Sequence, residues 1–178
     1  MGQKRFTVYL YICLLLESGI DSNAADCTGS TALHILAILS FPDVVQLLPA
    51  RRGVDMNAVD NHGRTPLAWA FERGSTSVAK LLLKHPGVRL NTQHHGKCHP
   101  LWLACRAGES TYGGYSTSAR LVAQGNRIDV NSRALGESFT PLLLATSAGR
   151  EDIVRCLLQH PPIDINAVDA SSRTPLSG

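Results

Sequence analysis

A short motif recurs along this chain at a nearly fixed interval. Thr65-Pro66-Leu67 returns as His99-Pro100-Leu101, Thr140-Pro141-Leu142 and Thr174-Pro175-Leu176, and appears upstream as Thr31-Ala32-Leu33 followed by His34. Its second positions, 32, 66, 100, 141 and 175, are spaced 34, 34, 41 and 34. Asn23, Asn57, Asn91, Asn131 and Asn166 keep the same beat, at 34, 34, 40 and 35. Such a period argues against a single central core. Each copy is one supersecondary unit that buries its apolar face on its neighbours.

The unit is clearest from Asp60 to Asn91. Asp60 to Gly63 reads as a turn. Thr65 is a good helix N-cap, with Pro66 at the first helical position, where a missing N–H costs nothing. Gly74 can end that helix with positive φ. Val78, Leu81 and Leu82 give a second helix one apolar face, and His85-Pro86 stops it. The phasing predicts helices near 31–39, 43–48, 65–73, 76–84, 99–107, 117–124, 140–148 and 151–159. In the first full unit Ser40-Phe41-Pro42 replaces the glycine turn, Pro42 can begin the second helix, and Pro49 should shorten it.

In these motifs the sequence resembles the ankyrin-repeat family: DxxGxTPL, a short helix ending in glycine, VxxLL, then DxNA. The resemblance implies an all-α fold, an ankyrin-repeat solenoid of stacked helix-turn-helix units with β-turn fingers. Its frame places a partial repeat at 1–25, repeats at 26–59, 60–93, 94–133 and 134–168, and a truncated repeat at 169–178. It also implies a structural role for His34, with the ring buried and bonded to backbone.

The start of the chain has two readings. Lys4-Arg5 followed by the apolar run from Phe6 to Leu16 has the look of a signal-peptide core, too short to span a bilayer. The repeat frame instead makes Cys13 and Leu14 core positions of a second helix, and favours a half repeat. Met1-Gly2 does not continue into a myristoylation motif, because Phe6 stands where Ser or Thr is wanted. At the other end the chain stops at Gly178 without a polar cap, which suggests either a fragment of a longer array or an incomplete protein.

Unit three departs from the pattern. His94, His95, Cys98, His99 and Cys105 are all metal-ligand types, but most crowd into one turn, whereas zinc sites draw paired ligands from separate elements. We expect no metal and no cofactor there. Gly74 to Asn91 and Gly149 to Asn166 are both 17 residues apart, but Gly108 to Asn131 is 23. The excess falls around Tyr112 and Tyr115, in the turn between two helices, where a loop can form a secondary contact site or do nothing.

Catalysis finds no support: there is no phosphate-cradling glycine loop, no GxSxG elbow and no phased carboxylate pair. The net charge of +3 is too mild to suggest nucleic acid. Five unpaired-looking cysteines, none in a CxxC motif, suit a reducing compartment, hence a cytoplasmic protein with the nucleus left open. No membrane and no small-molecule substrate is expected.

The resemblance implies a non-catalytic protein–protein interaction module that binds its partner on the concave face of fingers and inner helices. The alternative is a structural spacer segment of a larger protein. The family's variable contact positions fall on Asn61, His62, Arg64, Glu72 and Arg73, then on His95, Lys97, Cys98 and Arg106, with Glu137, Phe139 and Ser147 after the insertion. Arg64, Arg73, Lys97 and Arg106 against Glu72 suggest a positive strip and a partner segment rich in Asp or Glu. Trp102 or Phe139 would receive its apolar anchor.

Overall fold

The computed structural model describes residues 21–47, 53–91, 101–102, 105, 128–133 and 139–175. Six helices are defined among them: α1 (Ala32–Leu39), α2 (Pro42–Val45), α3 (Pro66–Glu72), α4 (Thr76–Lys84), α5 (Pro141–Ser147) and α6 (Glu151–Leu158). Within units, α1 packs on α2, α3 on α4 and α5 on α6. Between units, α1 packs on α3 and α2 on α4. First helices therefore stack on first helices and second on second, as a solenoid requires. Among the described residues no sheet forms; an isolated bridge joins Ala25 to Thr31 across one finger.

Local chemistry sets the helix starts. Thr65 Oγ1 accepts from Ala68 N–H at 3.2 Å, and Thr140 Oγ1 from Leu143 N–H at 3.3 Å, each followed by proline at the first helical position. Gly74 (φ 65°) and Gly149 (φ 64°) turn the chain into the second helix. Ser40 takes that place in the first unit at φ 58°. Pro42 then opens α2, because its fixed φ suits the first turn. Of the helix expected at 99–107, Leu101, Trp102 and Cys105 are helical. The helix expected at 117–124 lies outside the described residues.

The apolar positions fuse into a continuous core, with Leu36, Leu67, Phe71, Leu82, Leu101, Cys105, Leu142, Ile153 and Leu157 all fully or almost fully buried. Burial pushes the Cys105 thiol up to about 12, so it stays protonated.

The phased asparagines stitch unit to unit. Asn23 Nδ2 donates to Gly53 O at 2.6 Å, while its Oδ1 accepts from Asp55 N–H at 2.7 Å. Asn57 repeats this one unit on, with Gly87 O at 2.8 Å and Arg89 N–H at 2.7 Å. Asn131 does the same with Pro162 O and Asp164 N–H. Asn91 Oδ1 accepts from Asp129 N–H at 2.9 Å across 38 residues, against 32 for the Asn57 contact. The ladder thus resumes in register beyond the inserted residues. Among the described residues no helix is long and apolar enough to cross a membrane.

Candidate functional site

Two of the described fingers are built on buried aspartates. Asp60 Oδ1 accepts from His62 N–H at 2.8 Å and Arg64 N–H at 2.9 Å, and Asp169 receives Ser171 and Arg173 in the same way. Adjacent fingers are joined: Asn61 N–H donates to Thr28 O and Asn61 Nδ2 to Cys27 O, both at 3.0 Å. Gly29, at φ 76°, makes room for this contact, since a Cβ there would lie 2.6 Å from Asn61 Oδ1.

From the second finger a polar cluster spreads onto α3. Trp69 Nε1 donates to Asp60 Oδ2 at 2.8 Å, and Arg64 Nε donates to the same oxygen at 3.3 Å. The Arg64 guanidinium lies 3.7 Å from the Trp69 ring centroid, and that of Arg73 5.1 Å from it. Arg64 Nη1 also donates to Glu72, at 3.3 Å to Oε1 and 3.1 Å to Oε2. Burial works to raise the Asp60 carboxyl, but the N–H donors of Arg64, Trp69 and His62, with the Arg64 charge, together hold it below the usual range.

His34 couples this cluster to the preceding unit. Its Nδ1 accepts from Thr31 N–H at 3.1 Å, so the proton is on Nε2, which donates to Arg64 O at 2.9 Å. Burial disfavours the charged ring and lowers its pKa.

A family model of ankyrin repeats in three copies matches residues 9–94, and a single-repeat model matches residues 137–170. The chain is an ankyrin-repeat protein. Solved structures agree on the fold. The ankyrin repeat domain of Bcl-3, a unique member of the IkappaB protein family, is 23% identical, with a TM-score of 0.77 over 98% of this chain and 74% of its own. EF0377, an ankyrin repeat protein, is 22% identical, with a TM-score of 0.81 over 98% of this chain and 85% of its own. No curated protein matches the sequence. Ankyrin-repeat domains generally serve protein–protein interaction and are generally non-catalytic.

The expected contact residues differ in how this ankyrin surface holds them. His62 and Arg73 are exposed. Asn61 is also exposed, but its amide is committed to the neighbouring finger. Arg64 and Glu72 are tied to each other and, through Arg64, to Asp60 and Trp69. With Asp60 included, two carboxylates meet the Arg64 guanidinium, so the expected positive strip is neutralised at that position. Phe139 and Ser147 line a shallow groove of about 260 Å³ with Leu143, Thr146 and Pro175. Trp102 is no anchor surface: it is 4% exposed, packed on Ala68 with Leu144 against it. His95, Lys97, Cys98, Arg106, Glu137, Tyr112 and Tyr115 lie outside the described residues, as do His94 and His99. Trp69 was not anticipated. It sits within a run of buried helix residues, so its spacing signals core alone.

Proposed function

We propose that this ankyrin array captures a protein segment on its finger and first-helix face and holds it without chemistry. The observation that carries the reading is the pair of exposed side chains, His62 and Arg73, flanking a surface whose other polar groups are fixed by the fold. A face held this rigidly loses little entropy when a partner docks. Its chemistry suits a segment with Asp or Glu for Arg73 and an apolar side chain to rest on Phe139.

Selection from a displayed peptide library tests this. Replacing His62 and Arg73 together by alanine should weaken the selected binders by roughly tenfold or more, a normal loss when contact side chains are truncated. Replacing Lys80 and Arg155, exposed on α4 and α6, should leave them within about twofold, as expected for residues outside an interface. Loss on the second pair alone would refute the reading. Binding to acidic segments should also fall with salt.

A further inference from the structure

The asparagine ladder leaves half a rung unused at each edge of the stack. Asn23, Asn57 and Asn131 each grip a backbone carbonyl and the N–H two residues on, in the segments Gly53-Val54-Asp55, Gly87-Val88-Arg89 and Pro162-Ile163-Asp164. Asn166 stands in phase with them. Its N–H is bound to Asp164 Oδ1, but its side-chain amide has no hydrogen bond among the described residues. The apolar residue before it is open as well. Ile165 is 43% exposed, whereas Met56, Leu90 and Val130, each one residue before a phased asparagine, are 6%, 5% and 1% exposed.

The receiving half of a rung lies at the opposite edge. Asp21 stands two residues before Asn23, as Asp55 stands before Asn57, Arg89 before Asn91 and Asp164 before Asn166. The N–H groups of Asp55, Arg89 and Asp164 are each held by the preceding phased asparagine. Asp21 is exposed and uses its O and Oδ1 within its own turn, while its N–H has no partner among the described residues. The sequence there, Gly19-Ile20-Asp21, has the form of the internal receiving segments: glycine or proline, a β-branched residue, then a charged one.

We infer that the chain associates head to tail with a second copy of itself, Asn166 and Ile165 of one copy receiving the Asp21 segment of the next. The two edges differ, so the contact is heterologous and propagates along a row of copies. It does not rest on capture of a separate partner. Ser172 keeps it weak. Within the stack Asn61 N–H reaches Thr28 O past Gly29, and a Cβ on Gly29 would lie 2.8 Å from Asn61 N. Ser172 holds the place of Gly29 in its own finger, three residues after the aspartate, at φ 60°. Its Cβ holds the incoming finger off, so the junction relies on the loop rung and Ile165, at the small end of specific interfaces.

Sedimentation velocity of the full chain tests this, loaded from about 10 μM to about 1 mM to cover weak affinities. The five cysteines require a reducing buffer. The mean sedimentation coefficient should rise with concentration. Ile165→Asp should weaken association by roughly tenfold or more, since it buries an unpaired charge. The milder Asn166→Ala should weaken it about three- to tenfold, the range of one or two lost hydrogen bonds. Ser172→Gly should tighten it by roughly fivefold or more, because the overpacked Cβ is gone. Asp21→Pro has no N–H to offer and should also stay monomeric. An equimolar mixture of Ile165→Asp and Asp21→Pro keeps one sound edge on each chain, so it should form dimers and nothing larger. Thermal melts establish that each variant is folded. Chains that stay monomeric both unmodified and as Ser172→Gly overturn the inference. So does association unchanged in both Ile165→Asp and Asn166→Ala, which would place the contact on another surface, or a mixture that yields no dimer.

Discussion

Asn57→Ala removes one rung of the ladder that couples the first full unit to the second. Two hydrogen bonds disappear: Nδ2 to Gly87 O at 2.8 Å and Arg89 N–H to Oδ1 at 2.7 Å. Each is worth about 0.5–1.5 kcal/mol net. Both lie at a solvent-accessible edge, where water can replace the lost partner, so the lower half of the range applies to each. The expected loss is about 1–2 kcal/mol, or roughly 2–8 °C in Tm for a chain of this size. Urea unfolding followed by circular dichroism measures the total. Native-state amide exchange locates it, because Arg89 N–H should lose roughly tenfold in protection, matching about 1.4 kcal/mol of local opening. An unchanged unfolding midpoint refutes the reasoning. So does a lowered midpoint with Arg89 protection intact, since the loss would then come from elsewhere.

Four further outcomes follow from the same contacts. Gly29→Ala should destabilise by about 2–4 kcal/mol in a thermal melt, combining left-handed backbone strain with a clash on Asn61. Ser40→Gly or Ser172→Gly should each raise stability by about 0.5–1 kcal/mol in urea titration, because both serines hold positive φ. Protonation of His34 places an N–H against the Thr31 N–H. The folded-state pKa is lowered, so the unfolded chain binds more protons below an ordinary value of about 6.5. His34's contribution is thus complete above that value and declines as pH falls towards the folded pKa; His34→Gln should flatten this part of the stability profile. In iodoacetamide mapping at pH 8, the exposed Cys27 should alkylate and the buried Cys105 should not until the chain unfolds.

The repeats, their capping threonines and the proline starts were legible because they depend on residues close in sequence. Thr65, Pro66 and Gly74 shape their own backbone. The asparagine spacing was legible too, but not its purpose, since Asn57 bonds to backbone 30 and 32 residues away. The site was harder to read. Arg64 occupies a variable contact position, and nothing local indicates that its side chain folds over Trp69 toward Glu72. Trp102 reads as an available aromatic until Ala68 and Leu144, each from another unit, are brought against it. Pairing and burial across units are tertiary facts, and the period alone does not carry them.

Amide exchange of the chain with and without a saturating library-selected binder tests the central claim most directly. Recognition on the finger and first-helix face should slow exchange from residue 61 to 73 and around 139–147, and leave the exposed sides of α4 and α6 unchanged. Protection confined to 76–84 and 151–158, with 61–73 exchanging as in the free chain, would contradict it.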